Sequence, residues 1–82
     1  MRIDKFLNSV NITKRRSIAQ DMLVNGVIFI NDKQAKASKH VEVGDVIKIA
    51  YLQSQKLYEI LALPTTKSTP KSQQAEYIKE LN

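Results

Sequence analysis

The run Thr13-Lys14-Arg15-Arg16-Ser17 is the densest group of cationic side chains in the sequence. Lysine and arginine donate charge-assisted hydrogen bonds to phosphate oxygens, and neighbouring hydroxyl groups can add further bonds. The run lies where a helix is predicted to begin, and a helix N-terminus already carries about half a positive charge. Three more cations raise the energy of the unbound protein there, but they strengthen its attraction for a polyanion. By itself the run fits both a phosphate-binding site and a solvated surface cluster.

The distribution of charge along the chain decides between these two interpretations. Residues 1–40 contain eight lysines and arginines and three acids, whereas residues 41–82 contain five of each, so the first half accounts for the formal net charge of +5. Such an uneven distribution is typical of a face that binds a polyanion, and it favours nucleic acid as the ligand. The basic residues of this half outside the run are Arg2, Lys5, Lys33, Lys36 and Lys39.

No group of residues suits catalysis or metal binding. His40 is the only histidine, there is no cysteine, and Gly26 and Gly44 are both explained by turns. Metal sites need several ligands at close spacing, and the sequence has no phosphate-binding loop, dinucleotide motif or nucleophile motif. We therefore expect a protein that is not an enzyme and that binds no metal or cofactor. His40 is expected to lie on the surface.

A short amphipathic helix is predicted at the N-terminus. Asp4 falls in its first turn, where the carboxylate is predicted to accept hydrogen bonds from free amides. Its polar side is predicted to face solvent or a ligand, with Arg2, Lys5 and Ser9. The apolar residues at the i, i+3, i+4, i+7 spacing of a buried stripe are Ile3, Phe6, Leu7 and Val10.

A second helix is predicted to follow after a few residues. Thr13 is predicted to be its N-cap, and Gly26 suits the left-handed position just after its end. The two helices form a helix-turn-helix-like pair that carries the cationic run at the start of the second helix. The residues predicted to line its buried stripe are Ile18, Ala19, Met22 and Leu23.

After Gly26 the pattern changes to short strands. Apolar or alternating segments at residues 27–30, 46–52 and 57–63 are separated by turn residues, and Phe29 is predicted to lie in the core. Two helices followed by short strands predict an α+β fold, in which the two-helix motif packs on a small, mostly antiparallel sheet.

The fold is expected to occupy residues 1–64 as one domain. Residues 65–82 are more polar, and they are predicted to form a flexible tail. Within the tail, a cap at Thr69-Pro70 and apolar residues at helical spacing are consistent with a short helix over residues 70–81.

Hydroxyl and amide side chains near the cations extend the predicted interface. Such groups suit contacts with the backbone and shape of a nucleic acid more than base-specific reading. The sequence also lacks a zinc finger, a basic zipper and a pair of aromatic residues for stacking single strands. These features mildly favour structured RNA over DNA. The residues are Ser9, Thr13, Ser17 and Gln20.

Several landmarks of the sequence occur in the order known from one RNA-binding family. They are RIDKFL at residues 2–7, KRRS at 14–17, NGVIFIN at 25–31 and VGDVI at 43–47. Together they resemble the S-four RNA-binding domain, named for the fourth ribosomal protein of the small subunit, over about residues 1–50. The sequence departs from the family at Asp32, where glycine commonly follows asparagine, so the type of hairpin turn is left open.

The resemblance implies a protein that binds structured RNA without a covalent step. The chain is most similar to the stand-alone bacterial members of the family, the heat-shock-protein-fifteen type and the type that acts in ribosome-associated quality control. Those members bind large ribosomal subunits that still carry peptidyl-tRNA. The resemblance implies contacts of Arg16 and its neighbours with large-subunit rRNA, and of Arg2 with tRNA. The predicted RNA-binding residues are Arg2, Lys5, Ser9, Thr13, Lys14, Arg15, Arg16, Ser17, Gln20, Lys33, Lys36 and Lys39.

Two other functions are consistent with the sequence. The chain could be a protein-interaction adaptor that acts through its C-terminal tail, or a general binder of duplex DNA. The sequence has no apolar run of about 18 residues and no secretory N-terminus, which favours a cytoplasmic protein without a membrane partner. We expect a monomer whose partners are rRNA, tRNA and the large ribosomal subunit.

Overall fold

A computed structural model of the protein describes residues 1–65 and 69–81. Within these residues, five antiparallel strands form one sheet of order β2-β1-β3-β4-β5, and two helices contribute to the same hydrophobic core. The predicted α+β fold is thereby confirmed. The elements are α1 (Ile3–Ser9), α2 (Arg16–Val24), β1 (Ile28–Ile30), β2 (Lys33–Gln34), β3 (Val46–Ala50), β4 (Gln55–Ile60), a 3-10 helix (Lys71–Glu76) and β5 (Ile78–Glu80).

Helix α1 ends in a tight, hydrogen-bonded turn. Asn11 has a φ of 66°, in the left-handed region that asparagine tolerates better than most residues. The backbone N–H of Asn11 donates to the Asn8 carbonyl and that of Ile12 to the Leu7 carbonyl, which is the pattern of a Schellman motif. The predicted apolar stripe of this helix is fully buried. The turn therefore fixes the direction in which the chain leaves α1, and with it the position of the cationic run.

Helix α2 begins later than predicted. Arg15, with extended backbone, is its N-cap residue, and Arg16 is its first helical residue. The Thr13 hydroxyl donates to the Arg15 carbonyl at 3.2 Å, while the Thr13 N–H donates to the Leu7 carbonyl at 3.1 Å. The prediction that Thr13 caps this helix is therefore wrong, because the backbone of Thr13 is hydrogen-bonded to the last turn of α1 instead.

The buried face of α2 is narrower than predicted. Ala19 and Leu23, one helical turn apart, are buried, and Met22 is half-buried. Ile18 is 41% exposed, so its predicted burial is wrong. A helix of nine residues packs against the core along one narrow line of side chains. Ile18 lies about 100° away from Ala19 around the helix axis, so it falls outside that line. Gly26, at φ 73°, ends the helix as predicted.

The sheet has one buried face and one face that the helices do not cover. Ile28 and Ile30 of β1 and Ile47 and Ile49 of β3 are at most 5% exposed. Because side chains alternate along a strand, Phe29 points to the other face. There the Lys48 ammonium lies 4.7 Å from the centroid of its ring. The predicted placement of Phe29 in the core is therefore wrong, since its neighbours in the strand take both core positions.

The β1–β2 connection is a two-residue hairpin. Ile30 pairs with Lys33, and the two turn residues have positive φ values, 50° for Asn31 and 68° for Asp32. Positive φ at both central positions defines a type I′ turn, which favours glycine at the second position. The structure thus settles the turn type that the sequence leaves open.

Asp32→Gly should make the protein more stable. Its one ion pair within the described part of the chain, to Lys48 at 3.9 Å, is solvent-exposed and contributes little. Relief of the left-handed conformation should raise the free energy of unfolding by about 0.5 kcal/mol. Urea unfolding measures the change, and Asp32→Ala, which keeps the unfavourable φ, should lower the same quantity. A glycine variant less stable than the parent would contradict this account.

The described part of the predicted tail is ordered against the rest of the protein. A short helix does form, over Lys71–Glu76, but Ile78–Glu80 is a strand that pairs with β4 instead of the predicted end of that helix. Ile78 lies opposite Ile60 and is 5% exposed, so the sheet buries a side chain that a free helix would leave in water. The predicted flexible stretch at residues 66–68, like residue 82, falls outside the described residues.

Candidate nucleic-acid interface

Asp4 is the centre of the candidate site. Its side chain is fully buried, whereas those of Arg2 and Arg16 are each 44% exposed above it. Arg16 binds both carboxylate oxygens, with Nε 3.2 Å from Oδ2 and an Nη 3.4 Å from Oδ1. Gln20 donates to Oδ2 at 3.0 Å, and Arg2 lies 3.4 Å from the same oxygen. We call Asp4, Arg2, Arg16 and Gln20 the Asp4 cluster.

The protonation of Asp4 follows from these contacts. Burial acts to raise the pKa of the carboxyl, but hydrogen bonds from Gln20, Arg16 and the Lys5 amide, with the positive charge of Arg16, outweigh it. The pKa of Asp4 therefore lies below its ordinary value of 3.8. At neutral pH the group is a carboxylate, and it holds two guanidinium groups and an amide in fixed positions.

The N-terminus joins the Asp4 cluster to a second group of cations. The Ile3 N–H donates to the Lys39 carbonyl at 2.7 Å, and Arg2 forms an antiparallel bridge with His40. The Arg2 Nε also donates to the Ala37 carbonyl at 3.4 Å. The loop of residues 35–39 is thus attached directly to Arg2, although the two are far apart in the sequence.

Three lysines border a cleft beside this loop. The cleft has a volume of about 530 Å³ and lies between the β1–β2 hairpin and residues 35–39. Among the described residues, no ion pair involves these lysines, so their ammonium charges are uncompensated. We call it the lysine cleft; its basic lining residues are Lys33, Lys36 and Lys39.

The remaining predicted cations lie on the surface around α1 and α2. Lys14, Arg15 and Ser17 flank Arg16 and are exposed, and Lys5 is exposed on α1. His40 is exposed, as predicted, and its Nδ1 lies 3.4 Å from the terminal amine of Met1. The contacts tie Arg2, Arg16 and Gln20 to one point and attach the 35–39 loop to them.

Ser9 and Thr13 do not belong to this exposed surface. Ser9 is fully buried, and Thr13 is 6% exposed. The Ser9 carbonyl accepts hydrogen bonds from both the N–H and the hydroxyl of Thr69, at 3.0 and 2.9 Å, so the C-terminal segment covers it. The prediction that Ser9 faces solvent or a ligand is wrong, because helical spacing cannot reveal that the segment beginning at residue 69 packs over this side of α1.

Sequence reasoning missed the role of Asp4 and of the Ala37 carbonyl. Asp4 does accept a hydrogen bond from the Lys5 amide at 2.8 Å, as its first-turn position suggests. Its bonds to Arg16 and Gln20, however, depend on how α2 packs against α1. No sequence pattern marks a buried acid that pairs with an arginine on the next helix. A backbone carbonyl that accepts a hydrogen bond is equally invisible in the sequence, because every residue has one.

The Asp4→Asn variant separates two effects of the carboxylate on RNA binding: its positioning of Arg2 and Arg16, and its contribution to the net charge of the protein. Loss of the carboxylate raises the net charge by one, so charge alone predicts tighter binding to RNA. Loss of the anchor frees Arg2 and Arg16, and ordering each on binding costs about 0.5–1.5 kcal/mol. We therefore expect binding weaker by up to about tenfold, measured by fluorescence anisotropy on RNA, whereas tighter binding would refute the positioning role.

The same variant should change the pH dependence of stability. The lowered pKa of Asp4 contributes stability above the ordinary value of 3.8, and that contribution disappears as pH falls through the lowered value. Urea unfolding between neutral and acidic pH should show a smaller loss of stability for Asp4→Asn than for the parent chain.

Residues 1–65 and 69–81 contain neither a candidate metal site nor a membrane-spanning helix. These residues hold no group of three or more histidine, cysteine or acidic side chains that could bind a metal ion. None of their helices is both long enough and apolar enough to cross a lipid bilayer.

The sequence matches proteins of one family. Residues 1–47 match the S4 domain. The chain is 47% identical over 78 residues to the RQC P-site tRNA stabilizing factor of Helicobacter pylori strain J99, a match that covers 95% of this chain and 93% of the relative. It is 40% identical over 63 residues to the heat shock protein 15 homolog of Haemophilus influenzae, which covers 77% of this chain and 48% of that protein.

Two solved structures are similar throughout. The solution structure of the hypothetical protein HP1423 has a TM-score of 0.86 and 44% sequence identity, covering 100% of this chain and 98% of the other. Heat Shock Protein 15 of Vibrio cholerae, described as trimeric, has a TM-score of 0.87 and 28% identity, covering 98% of this chain and 80% of the other.

Proposed function

Because the chain belongs to the S4 domain family, we propose that it binds structured RNA on the ribosome, with large-subunit rRNA and tRNA as its ligands. The single observation that carries this proposal is the Asp4 cluster. A buried carboxylate there holds two arginines in place on an exposed surface, which continues to three lysines that form no ion pair within residues 1–65 and 69–81.

The proposed biological role is the rescue or quality control of stalled ribosomes. Relatives named RQC P-site tRNA stabilizing factor match nearly the whole chain, and that name supports tRNA as a ligand. In this proposal Arg16 and the residues around it contact rRNA, and Arg2 contacts tRNA. Such a protein works in the cytoplasm, where ribosomes are.

The mechanism is docking without a covalent step. Arg16 is held with its side chain 44% exposed, so it meets phosphate with little loss of side-chain entropy. Lys14, Arg15 and the lysines of the cleft add charge around it, and each neutralised phosphate releases counterions. Exposed Ser17 and Lys5 are proposed as further contacts on the same side.

Binding should therefore depend steeply on salt. If about four to six cations engage phosphates, the slope of log affinity against log salt concentration should be about −3 to −5. Anisotropy titrations of a ribosomal RNA fragment at several salt concentrations measure it. A slope near zero would exclude an electrostatic interface of this kind.

Co-sedimentation tests the proposed partner. Tagged protein is centrifuged with free large subunits, intact ribosomes and tRNA, and crosslinked RNA is then sequenced. Enrichment on large subunits, with crosslinks to rRNA and tRNA, is expected. Sedimentation with none of these particles would overturn the proposal, and equal affinity for DNA and RNA of matched length would favour the general DNA binder instead.

The assembly state is a separate proposal. We propose that the chain is a monomer, although the Vibrio cholerae relative is described as trimeric. Light scattering at the concentrations of the binding assays measures the mass directly.

A further inference from the structure

The lysine cleft contains an apolar surface. This surface takes no part in contacts between the protein and a phosphate backbone. Ile30 and Ala35 line the cleft and are each 5% exposed, so they form its inner wall. The volume of about 530 Å³ lies within the range of clefts that bind small molecules. Cations at the border of the cleft and buried apolar atoms inside it together match a ligand with an anionic end and a flat apolar part.

Polar groups of the cleft are available for hydrogen bonds. Gln34 donates through Nε2 to the Gly26 carbonyl at 3.1 Å, which fixes the side chain and leaves Oε1 as an acceptor. Among the described residues, no hydrogen bond engages the Ser38 hydroxyl, which also lines the cleft. A fixed acceptor and a hydroxyl that can donate or accept suit the edge of a nucleobase.

The wall formed by the hairpin is rigid. Asn31 donates to Asp45 at 3.2 Å and accepts from the Val46 N–H at 3.0 Å, so both ends of its amide are bound. The Lys39 N–H donates to the Lys36 carbonyl at 2.9 Å and closes the turn on the other side. The cleft therefore exists before a ligand binds, which lowers the entropic cost of binding.

We propose that the lysine cleft takes one unpaired nucleotide of the bound RNA. Its base lies against Ile30 and Ala35, and its phosphate lies beside the three lysines. Arg2, bound to the Ala37 carbonyl of the same loop, connects this position to the Asp4 cluster. The inference rests on the proposed function, and it adds that the protein recognises a nucleotide that is not stacked in a helix.

Nuclear magnetic resonance titration of the full chain tests the cleft directly. The probes are adenosine 5′-monophosphate, adenosine and inorganic phosphate at constant ionic strength. The nucleotide should shift the backbone amides of Ile30, Ala35 and Ser38, adenosine should shift the same amides more weakly, and phosphate should affect only residues near the lysines. Shifts from the nucleotide that equal those from phosphate, or that map elsewhere, would overturn the inference.

A blocking variant completes the test. Ser38→Leu places an apolar side chain in the cleft from an exposed position and should weaken nucleotide binding about tenfold or more. Ser72→Leu, at an exposed serine of the 3-10 helix, is the matched control and should bind as the parent does. Equal nucleotide binding by both variants would also overturn the inference, and the spectra themselves report whether each variant is folded.

Failure of this inference is distinguishable from failure of the proposed function. If the parent chain sediments with large subunits but the nucleotide behaves like phosphate, the cleft is not a nucleotide site and RNA docking stands. If the parent chain sediments with no RNA particle, the proposed function fails, whatever the titration shows.

Discussion

Arg15→Ala/Arg16→Ala should weaken binding to large ribosomal subunits roughly 100-fold or more, because each hydrogen bond to a charged group contributes about 1.5–3 kcal/mol. Both side chains are exposed at the start of α2, and the side chain of Arg16 is the one held against both oxygens of Asp4. Sedimentation and anisotropy on an rRNA fragment measure the loss.

The double variant should remain folded. Asp4 keeps its hydrogen bonds from Gln20 and the Lys5 amide, and the lost pair involves a partly exposed arginine. Because the Asp4 carboxylate is buried, the loss of Arg16 should cost about 1–3 kcal/mol, which is less than the stability of a typical small domain. Circular dichroism and urea unfolding check this before binding is interpreted.

A control of equal charge separates position from net charge. Lys56→Ala/Lys79→Ala removes two cations from β4 and β5; among the described residues, Lys56 pairs with Glu80 alone, at 2.7 Å on the surface. It should change affinity several-fold at most. If both double variants lose affinity equally, the cations at the start of α2 are not the site.

Arg16→Lys should also bind less tightly than the parent, because lysine cannot contact Asp4 and phosphate with a planar fork.

Truncation after Pro64 should leave the protein largely unfolded. Residues 69–81 supply the Thr69 bonds to the Ser9 carbonyl, a Gln74 bond to the Val10 carbonyl at 2.7 Å and the buried Ile78. Loss of the buried isoleucine costs about 1.5–3 kcal/mol, and each hydrogen bond that is lost to water costs about 0.5–1.5 kcal/mol more. Together these approach the whole stability of a small domain, about 5–15 kcal/mol.

The truncation therefore cannot distinguish an RNA binder from an adaptor that acts through its tail, since the loss of fold removes either activity. It tests instead whether residues 1–64 form a self-sufficient domain, and a cooperatively unfolding truncated chain would contradict the expected loss. Thermal unfolding followed by circular dichroism gives the answer.

Surface variants of the same segment separate the two functions. Lys71, Gln73 and Glu76 are exposed on the 3-10 helix, so a triple serine variant changes what a partner would contact and keeps Thr69, Gln74 and Ile78. RNA binding should be nearly unchanged in this variant. A loss of all ribosome association would favour the adaptor, because only the outer surface of the segment differs.

The sequence by itself determined the class of fold and the kind of ligand. Apolar spacing in α1, the left-handed glycine after α2, the apolar run of β1 and the alternation of β3 are local properties, and they predicted elements that the structure confirms within a few residues. The excess of cations in residues 1–40 is likewise a property of composition. These features can be deduced because each depends on residues that are close in the chain.

Only the tertiary structure decided what positions the cations. Asp4 meets Arg16 because α1 packs on α2, Arg2 meets Ala37 because the N-terminus pairs with residues 39–41, and Ser9 is buried because Thr69 returns to it. Each contact joins residues distant in sequence, and their pairing is set by the whole core. Local sequence patterns do not reveal such contacts. The sequence therefore identified the cationic residues of the candidate site but not the buried carboxylate of Asp4 that positions them.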